Sequence, residues 1–311
     1  MLTSASALEL FCGIGGFAAA CAGLPGCTIG QITAVDIDRT ALEVHAHNFP
    51  QQRRSVAELA SFDAASVAGD FWWLSPPCLP FTRKGQQRDL ADRRTQALLH
   101  LIGQIGSHAP SPKALAIENV PPFATSQTAD WVVRHLQQVG YETAWEIRCP
   151  SELGWPTRRN RAYLLASRVG LRELPPGEFQ PRRLVELLSP LLGTEPLPEE
   201  LRVPTTWLEK FAEAIDIVDP ADPDCRTACF TSSYGRSPVR SGSYLRRPDG
   251  VVRFFAPTEV LRCLGFPETF RWPSGISLRR QWDLAGNSLS LPVVRWVLQR
   301  VGLSGPIGPH G

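Results

Sequence analysis

The sequence lacks the residue spacings that usually mark a metal site. None of its eight cysteines forms a Cys-x-x-Cys pair, His-Glu-x-x-His is absent, and Cys225-x-x-x-Cys229 has no second pair nearby. Zinc sites need several ligands brought together by such spacings, so we expect no metal. Eight cysteines in 311 residues are also too sparse for a disulfide framework, which points to a reducing, cytoplasmic location.

Basic residues are missing from the first part of the chain. No Lys or Arg precedes Arg39, so we expect no secretory signal. Residues 10–35 carry no charge, but six glycines and Pro25 make this stretch a poor membrane helix. The formal net charge is only +2, so any contact with nucleic acid must come from local patches. We expect a monomer with no membrane attachment.

The N-terminal segment has the pattern of a strand, a glycine turn and a helix. An apolar strand at 7–11 leads into Cys-Gly-Ile-Gly-Gly at 12–16, and a helix follows. A second strand at 31–35 ends at Asp36, where an acid can accept the hydroxyls of a ribose. The alternative is a tight turn in which Asp36 caps the helix that begins near Arg39.

A rigid loop holds one thiol after the apolar run at 71–74. The run Phe-Trp-Trp-Leu is typical of a buried strand, and Ser75-Pro76-Pro77-Cys78 follows it. The two prolines fix their own φ angles and restrict the residues before them. This stiffness suits a nucleophile that must meet a substrate carbon in one orientation. The alternative is an unreactive cysteine in a proline turn.

Glu118 directly follows another apolar strand, at 114–117. A carboxylate there lies at the carboxyl edge of an α/β sheet, and partial burial favours an acid that can donate a proton near neutral pH. The alternative is a helix N-cap, which fits Asn119 better.

Three arginines, Arg158, Arg159 and Arg161, lead into a strand at 161–167. They indicate anion or base contacts, or else a plain basic turn.

The composition changes near residue 171, where proline and short charged segments begin and a helix is predicted at 206–218. Between Arg226 and Arg253 there are six arginines and a single acid, Asp249, with aromatic residues interleaved. This mixture suits contact with a nucleic-acid backbone and stacking on bases. A second basic run, at 83–94, flanks the Cys78 loop and could contact a phosphate backbone, with an ordinary solvated loop as the alternative there.

In this order, the motifs resemble those of the cytosine-5 nucleic-acid methyltransferase family. The glycine turn and Asp36 match the family's S-adenosylmethionine site, and the Pro-Pro-Cys loop matches its nucleophile loop. Glu-Asn-Val at 118–120 matches its acidic motif, Arg-Asn-Arg at 159–161 its Arg-x-Arg, and Gly-Asn-Ser at 286–288 the motif that completes the cofactor pocket. The resemblance implies an α/β fold, with a Rossmann-like methyltransferase sheet and a small, irregular target-recognition domain. The implied divisions are 1–170, 171–257 and 258–311.

The resemblance also implies roles for individual residues, here numbered in this sequence. The catalytic residues are Cys78, Glu118, Arg159 and Arg161. The residues that bind S-adenosylmethionine are Phe11, Gly13, Ile14, Gly15, Gly16, Asp36, Ile37, Pro77, Asn287 and Ser288. The substrate contacts are Thr82, Arg83, Lys84, Asn119, Cys229, Phe230, Thr231, Tyr234 and Arg236.

The implied chemistry begins with addition of the Cys78 thiolate to carbon 6 of cytosine, which makes carbon 5 nucleophilic. Glu118 then offsets the developing charge at N3, and Arg161 holds the carbonyl oxygen or orients Glu118. We expect the cofactor's positive sulfur and the nearby arginines to lower the pKa of Cys78.

Two segments resemble the small branch of the family that methylates the anticodon loop of tRNA. They are Pro-Phe-Thr-Arg at 80–83 and Cys-Phe-Thr at 229–231, the latter followed by Tyr234-Gly235. Leu79, Pro121-Pro122 and Thr157 depart from the family pattern without removing a reacting group. We therefore expect tRNA as the partner, with DNA as the alternative substrate. A nicotinamide oxidoreductase or a non-catalytic nucleic-acid-binding module would leave the thiol and the acid without roles.

Overall fold

A computed structural model describes residues 4–64, 67, 69–82, 89–106, 111–174, 179–188 and 197–305. The strands are β1 Ala5–Leu10, β2 Ile29–Asp36, β3 Arg53–Val56, β4 Phe71–Leu74, β5 Ala114–Asn119, β6 Glu142–Arg148, β7 Arg161–Ser167, β8 Ile217–Val218, β9 Tyr244–Arg246 and β10 Val252–Phe254. The helices are α1 Gly16–Ala22, α2 Arg39–Asn48, α3 Gln96–Gly103, α4 Gln127–Gln138, α5 Leu184–Leu188, α6 Thr205–Lys210, α7 Pro257–Cys263, α8 Leu278–Gly286 and α9 Leu291–Arg300.

The first seven strands form one sheet in the order β3-β2-β1-β4-β5-β7-β6. β1 is parallel to β2 and β4, and β5 is parallel to β4, whereas β7 is antiparallel to β5 and β6. Central parallel strands need helices on both faces and therefore consist almost entirely of apolar residues. β4 and β5 show this, because every residue in them is buried. The predicted α/β, Rossmann-like sheet is confirmed.

Alternate side chains of β4 supply two separate cores, because successive residues of a strand point to opposite faces. Phe71 and Trp73 belong to the core that includes α1 and α9. Trp72 and Leu74 belong to the core on the other face, with α3 and α4. The aromatic run that ends at the Cys78 loop is thus fixed on both sides of the sheet.

A second, three-stranded sheet has the order β10-β9-β8. β9 and β10 are antiparallel, and the two-residue β8 is parallel to β9. The chain then returns to the large sheet through α7, α8 and α9, and the Arg295 Nε of α9 donates to the carbonyl of Ala20 in α1 at 3.4 Å. The predicted boundaries at 170 and 257 stay predictions.

Candidate active site

The carboxyl ends of three neighbouring parallel strands lie side by side at one edge of the large sheet. Leu10 at the end of β1 is opposite Leu74 at the end of β4, which is in turn opposite Ile117 of β5. The glycine turn follows β1, the Pro-Pro-Cys loop follows β4, and Glu118 lies next to the end of β5. Since open α/β sheets bind ligands at this edge, the three predicted motifs share one site.

The glycine turn approaches α2 too closely for any side chain at Gly15. This residue has a φ of +89°, and a Cβ there would lie 2.7 Å from the ring of His45 and 2.8 Å from that of Phe49. At Gly13, by contrast, no atom lies within 4 Å of the Cβ position, so this part of the turn faces open space. The Gly13 N–H donates to the Asp36 carboxylate at 2.8 Å. The turn is therefore anchored beneath an open surface.

Asp36 ends β2 and offers a carboxylate beside an exposed apolar side chain. Burial raises the pKa of Asp36, against the N–H donors of Asp38 and Gly13. Its neighbour Ile37 is 61% exposed. An acceptor next to an apolar surface fits the ribose hydroxyls and the flat adenine ring of S-adenosylmethionine. The alternative role is wrong, since Asp38 caps α2 by accepting from the Ala41 N–H at 3.1 Å.

The remaining residues predicted to bind the cofactor occupy different environments. Phe11 has a positive φ of 56° at the start of the turn. Ile14 points into the core, whereas Pro77 and Asn287 are exposed. Gly16 packs against Leu289, which brings the Gly-Asn-Ser turn at 286–288 next to the glycine turn. Ser288 is buried and its carbonyl accepts from the Arg159 guanidinium, so it stays a prediction as a cofactor contact.

Hydrogen bonds fix the loop that carries Cys78. The Trp73 indole N–H donates to the Ser75 hydroxyl at 2.8 Å, and the Ser75 N–H donates to the carbonyl of Leu10 at 3.2 Å. The Asn119 amide donates to the carbonyl of Pro76 at 3.0 Å. With its backbone held from β1 and β5, the loop presents the Cys78 thiol at the surface.

Glu118 and Arg161 form an ion pair beside this loop. The Arg161 Nε lies 3.2 Å from the Glu118 Oε1, and the guanidinium also donates to the Cys229 sulfur at 3.6 Å. Burial lowers the pKa of Arg161, but Cys229 and Glu118 together raise it above its ordinary value. Arg161 therefore stays positively charged. Its contact holds the Glu118 carboxyl in one orientation.

The surroundings of Cys78 act on its thiol in opposite directions. The thiol reaches solvent from a recess with protein on its other sides, and this partial burial raises its pKa. The positive charge of Arg161 lowers it, Glu118 raises it, and Arg159 lowers it, so that the pKa of Cys78 is raised overall. The prediction that the arginines lower this pKa holds for their individual effects. In the protein alone, burial outweighs them.

A raised pKa leaves Cys78 mainly protonated near neutral pH. We expect its alkylation by iodoacetamide to accelerate about tenfold per pH unit up to and beyond pH 8, because only the thiolate reacts. Mass spectrometry of the peptide that contains residue 78 measures the rate, and Cys78→Ala gives the background. A rate that is already constant at pH 7 would contradict the burial effect.

Arg159 bonds to backbone carbonyls of two segments that are distant in sequence. Its buried guanidinium donates to the carbonyls of Phe230 at 3.0 Å and Gly286 at 3.3 Å, and to that of Ser288 at 2.5 Å. It also donates to the Cys229 sulfur at 3.5 Å. These contacts join the Cys-Phe-Thr segment to the Gly-Asn-Ser turn. The two terminal nitrogens of the guanidinium thus have protein acceptors, whereas the buried Nε has none among the residues that the structure describes. These contacts favour a positioning role, and a catalytic role for Arg159 stays a prediction.

The aromatic residues predicted to stack on bases form a core instead. Tyr234 is 1% exposed, its hydroxyl donates to the carbonyl of Ser243 at 2.6 Å, and it accepts from the Phe255 N–H at 2.9 Å. Phe230 packs edge-on against Tyr234 and is equally buried. Since both faces of these rings are covered, the structure corrects their assignment as substrate contacts. Asn119 is also buried. Its amide donates to the carbonyl of Pro76, so it supports the backbone of the Cys78 loop.

Several residues of this region do reach the surface. The exposed arginines between 226 and 253 are Arg226, Arg236, Arg240 and Arg246. Arg253, by contrast, is buried and pairs with Glu259 at 2.6 Å. Thr82 and Thr231 are half-buried and stay predictions as substrate contacts, as does Cys229 between its two arginines. The predicted contacts Arg83 and Lys84 lie outside the described residues.

Ser75 was not among the predicted site residues, although it carries the bond that joins the loop to Trp73. The sequence signal for this role is the position of Ser75 directly after a strand and before two prolines.

Within the part of the chain that the structure describes, no group of three or more His, Cys, Asp or Glu residues could hold a metal ion. No helix among the same residues is long and apolar enough to cross a membrane.

A Rossmann-like sheet with a Pro-Pro-Cys loop, a Glu–Arg pair and a glycine turn at one edge defines a cytosine-5 methyltransferase. The chain belongs to the family described as C-5 cytosine-specific DNA methylase, whose model matches residues 5–211. It is therefore a methyltransferase enzyme, of a family whose members use S-adenosylmethionine. Gly13, Asp36 and Ile37 fit S-adenosylmethionine, because they offer an open backbone turn, a carboxylate acceptor and an exposed apolar side chain.

Similar proteins include enzymes named for both RNA and DNA. The tRNA (cytosine(38)-C(5))-methyltransferase of Schizosaccharomyces pombe is 29% identical, over 94% of each chain. A DNA (cytosine-5)-methyltransferase of Dictyostelium discoideum is 25% identical, over 94% of this chain and 93% of that protein. The structure of the Entamoeba histolytica methyltransferase EhMeth superposes with a TM-score of 0.86 at 25% identity, over 96% and 98% of the two chains.

Proposed function

We propose that this enzyme methylates carbon 5 of a cytosine in the anticodon loop of a tRNA, through a transient bond between Cys78 and carbon 6. The observation that carries the proposal is the placement of an exposed thiol, on a loop held from two strands, beside the Glu118–Arg161 pair. The thiol can reach a base from solvent, and the acid and its partner lie close enough to act on the Cys78 pKa.

The first step in this mechanism is addition of the Cys78 thiolate to carbon 6 of the cytosine. A sulfur–carbon bond forms, and the electrons of the 5,6 double bond make carbon 5 nucleophilic. Glu118 donates a proton or hydrogen bond to N3 and so offsets the negative charge that the addition creates. Arg161, held 3.2 Å from Glu118, orients the carboxyl for this contact.

When bound, S-adenosylmethionine supplies an electrophilic methyl group for carbon 5, and Gly13, Asp36 and Ile37 are the residues that would hold it. After transfer, a base such as water removes the hydrogen at carbon 5. The 5,6 double bond then re-forms as the bond from carbon 6 to sulfur breaks. Cys78 leaves as a thiolate, and N3 returns to Glu118 any proton that it received.

Two observations favour tRNA over DNA. The tRNA-named protein from Schizosaccharomyces pombe is 29% identical to this chain, against 25% for the DNA-named protein from Dictyostelium discoideum. The unit around the second sheet is also small, with exposed arginines around an aromatic core. Such a surface can neutralise the phosphates of a folded loop whose bases are already unstacked. A target in a DNA duplex must instead be flipped out, at a cost of a few kcal/mol.

The substrate class is tested by incubating the enzyme with S-adenosylmethionine that carries a labelled methyl group and with total cellular nucleic acid. We expect RNase to release the label and DNase to leave it bound to the polymer, because the proposed target is tRNA. Nucleic acid incubated without enzyme is the control. Label that only DNase releases would contradict the tRNA assignment and favour DNA, the substrate named for the Dictyostelium discoideum relative.

A further inference from the structure

Cys21 and Cys27 lie next to each other, remote from the active site. Cys21 is in the last turn of α1, and Cys27 lies two residues before β2. The Leu24 N–H donates to the carbonyl of Cys21 at 3.2 Å, and the Cys27 N–H donates to the carbonyl of Leu24 at 3.2 Å. These turns fold the chain back so that the two thiols are hydrogen-bonded to each other, and both are free.

The two thiols have opposite environments. Cys21 is buried, and burial raises its pKa well above the ordinary value of a thiol. Cys27 is half-exposed, and its sulfur accepts hydrogen bonds from the Cys21 thiol and from the Ile29 N–H. Donation from Cys21 lowers the pKa of Cys27 to about 7, although burial acts in the opposite direction. A reachable, readily ionised thiol therefore has a second, protonated thiol in contact with it.

We propose that Cys21 and Cys27 form a redox-active dithiol, which a small disulfide such as glutathione disulfide oxidises to an intramolecular disulfide. The Cys27 thiolate attacks one sulfur of glutathione disulfide, whose S–S bond breaks, and one glutathione thiolate leaves. Cys21 then loses its proton to solvent and attacks the Cys27 sulfur, which releases the second glutathione thiolate. The protein loses two protons and two electrons, and glutathione disulfide becomes two molecules of glutathione.

This dithiol is separate from the catalytic thiol in position and in reactivity. Cys27 precedes β2, whereas Asp36 ends it, and the eight residues of that strand span about 25 Å. The dithiol thus lies at the amino edge of the sheet, opposite the edge that carries Cys78. Because the pKa of Cys78 is raised, its thiol should also react more slowly with a disulfide at neutral pH.

The proposal is tested on the whole protein, with glutathione disulfide at pH 7 and mass spectrometry at successive times. In the unmodified sequence we expect an early loss of two hydrogens, mapped by fragmentation to a Cys21–Cys27 disulfide, with no glutathione retained there. In Cys21→Ser, Cys27 has no resolving thiol and should keep one bound glutathione. In Cys27→Ser, Cys21 should stay reduced because it is buried and protonated.

Cys225 is the matched control within the same molecule, because it is also half-exposed but has its pKa raised to about 11 by burial and by nearby acids. It should stay reduced while the dithiol is oxidised. Stable glutathione on Cys27 in the unmodified sequence, or oxidation of Cys27 no faster than that of Cys225, would overturn the proposal. The unmodified protein alone decides both outcomes, whether or not the serine variants fold.

Discussion

Cys78→Ala is expected to abolish methyl transfer, with a loss of about 10⁴-fold or more. The reason is that carbon 5 of cytosine attacks an electrophile only after a nucleophile has added at carbon 6. The proposed nucleophile is the exposed thiol of Cys78, which lies near Glu118 and Arg161. Alanine leaves the loop intact, because the Ser75 and Asn119 bonds that hold it do not involve the side chain of residue 78.

The measurement is the rate of methyl transfer to RNA at saturating S-adenosylmethionine, together with RNA affinity at equilibrium. Binding should persist in the variant, because the thiol contributes little to contacts with the phosphate backbone. Cys225→Ala is the matched control, since it removes a half-exposed thiol far along the chain from the catalytic loop. Transfer that survives in Cys78→Ala would show that another group is the nucleophile.

An oligonucleotide with 5-fluorocytosine makes the covalent step visible. Fluorine at carbon 5 cannot leave as a proton does, so the bond between carbon 6 and the sulfur should remain after methyl transfer. We expect a stable adduct at residue 78 in the unmodified protein and none in Cys78→Ala. A folded, donor-saturated sample that methylates RNA but shows no crosslink at residue 78 would contradict the covalent mechanism.

The sequence predicts the central strands well because burial leaves few alternatives for them. β4 follows from an uninterrupted apolar run, and β7 has the predicted bounds. The edge strand β3, with the sequence Arg-Arg-Ser-Val, has no such pattern, because it has only one neighbour and is largely exposed. The helix predicted at 206–218 is wrong beyond Lys210, because residues 217–218 pair with β9 and tertiary pairing overrides the local pattern.

Within the site, local motifs predict which residues meet but not which of them are covered. The turn and the loop follow from glycine and proline spacing, and their shared edge follows from parallel strands. Whether an arginine contacts substrate or backbone depends on partners far away in sequence. Arg159 shows this, because its acceptors are the carbonyls of Phe230, Gly286 and Ser288. The interleaved aromatic residues were predicted to stack on bases, but contacts with residues distant in sequence bury them in a small core.

Glu118→Gln is expected to slow methyl transfer by about 10² to 10⁴-fold, the range typical for loss of one general acid. Glutamine keeps the size of the side chain, but its amide cannot pass a proton to N3 of the base. It also changes the contact with Arg161, whose Nε lies 3.2 Å from the Glu118 Oε1, because an amide is a neutral partner for the guanidinium. The decrease should lie in kcat, because the acid acts as charge develops in the transition state.

The step affected by Glu118 can be isolated without a methyl donor, by measuring exchange of the hydrogen at carbon 5 of the target cytosine in D₂O. Exchange requires addition of Cys78, so Glu118→Gln should slow it about as much as it slows transfer. Arg161→Lys keeps the charge but loses the planar guanidinium, and should give a smaller decrease. Glu213→Gln, at an exposed glutamate, is the matched control. Normal exchange with slow transfer would place Glu118 after the addition step and contradict its role at N3.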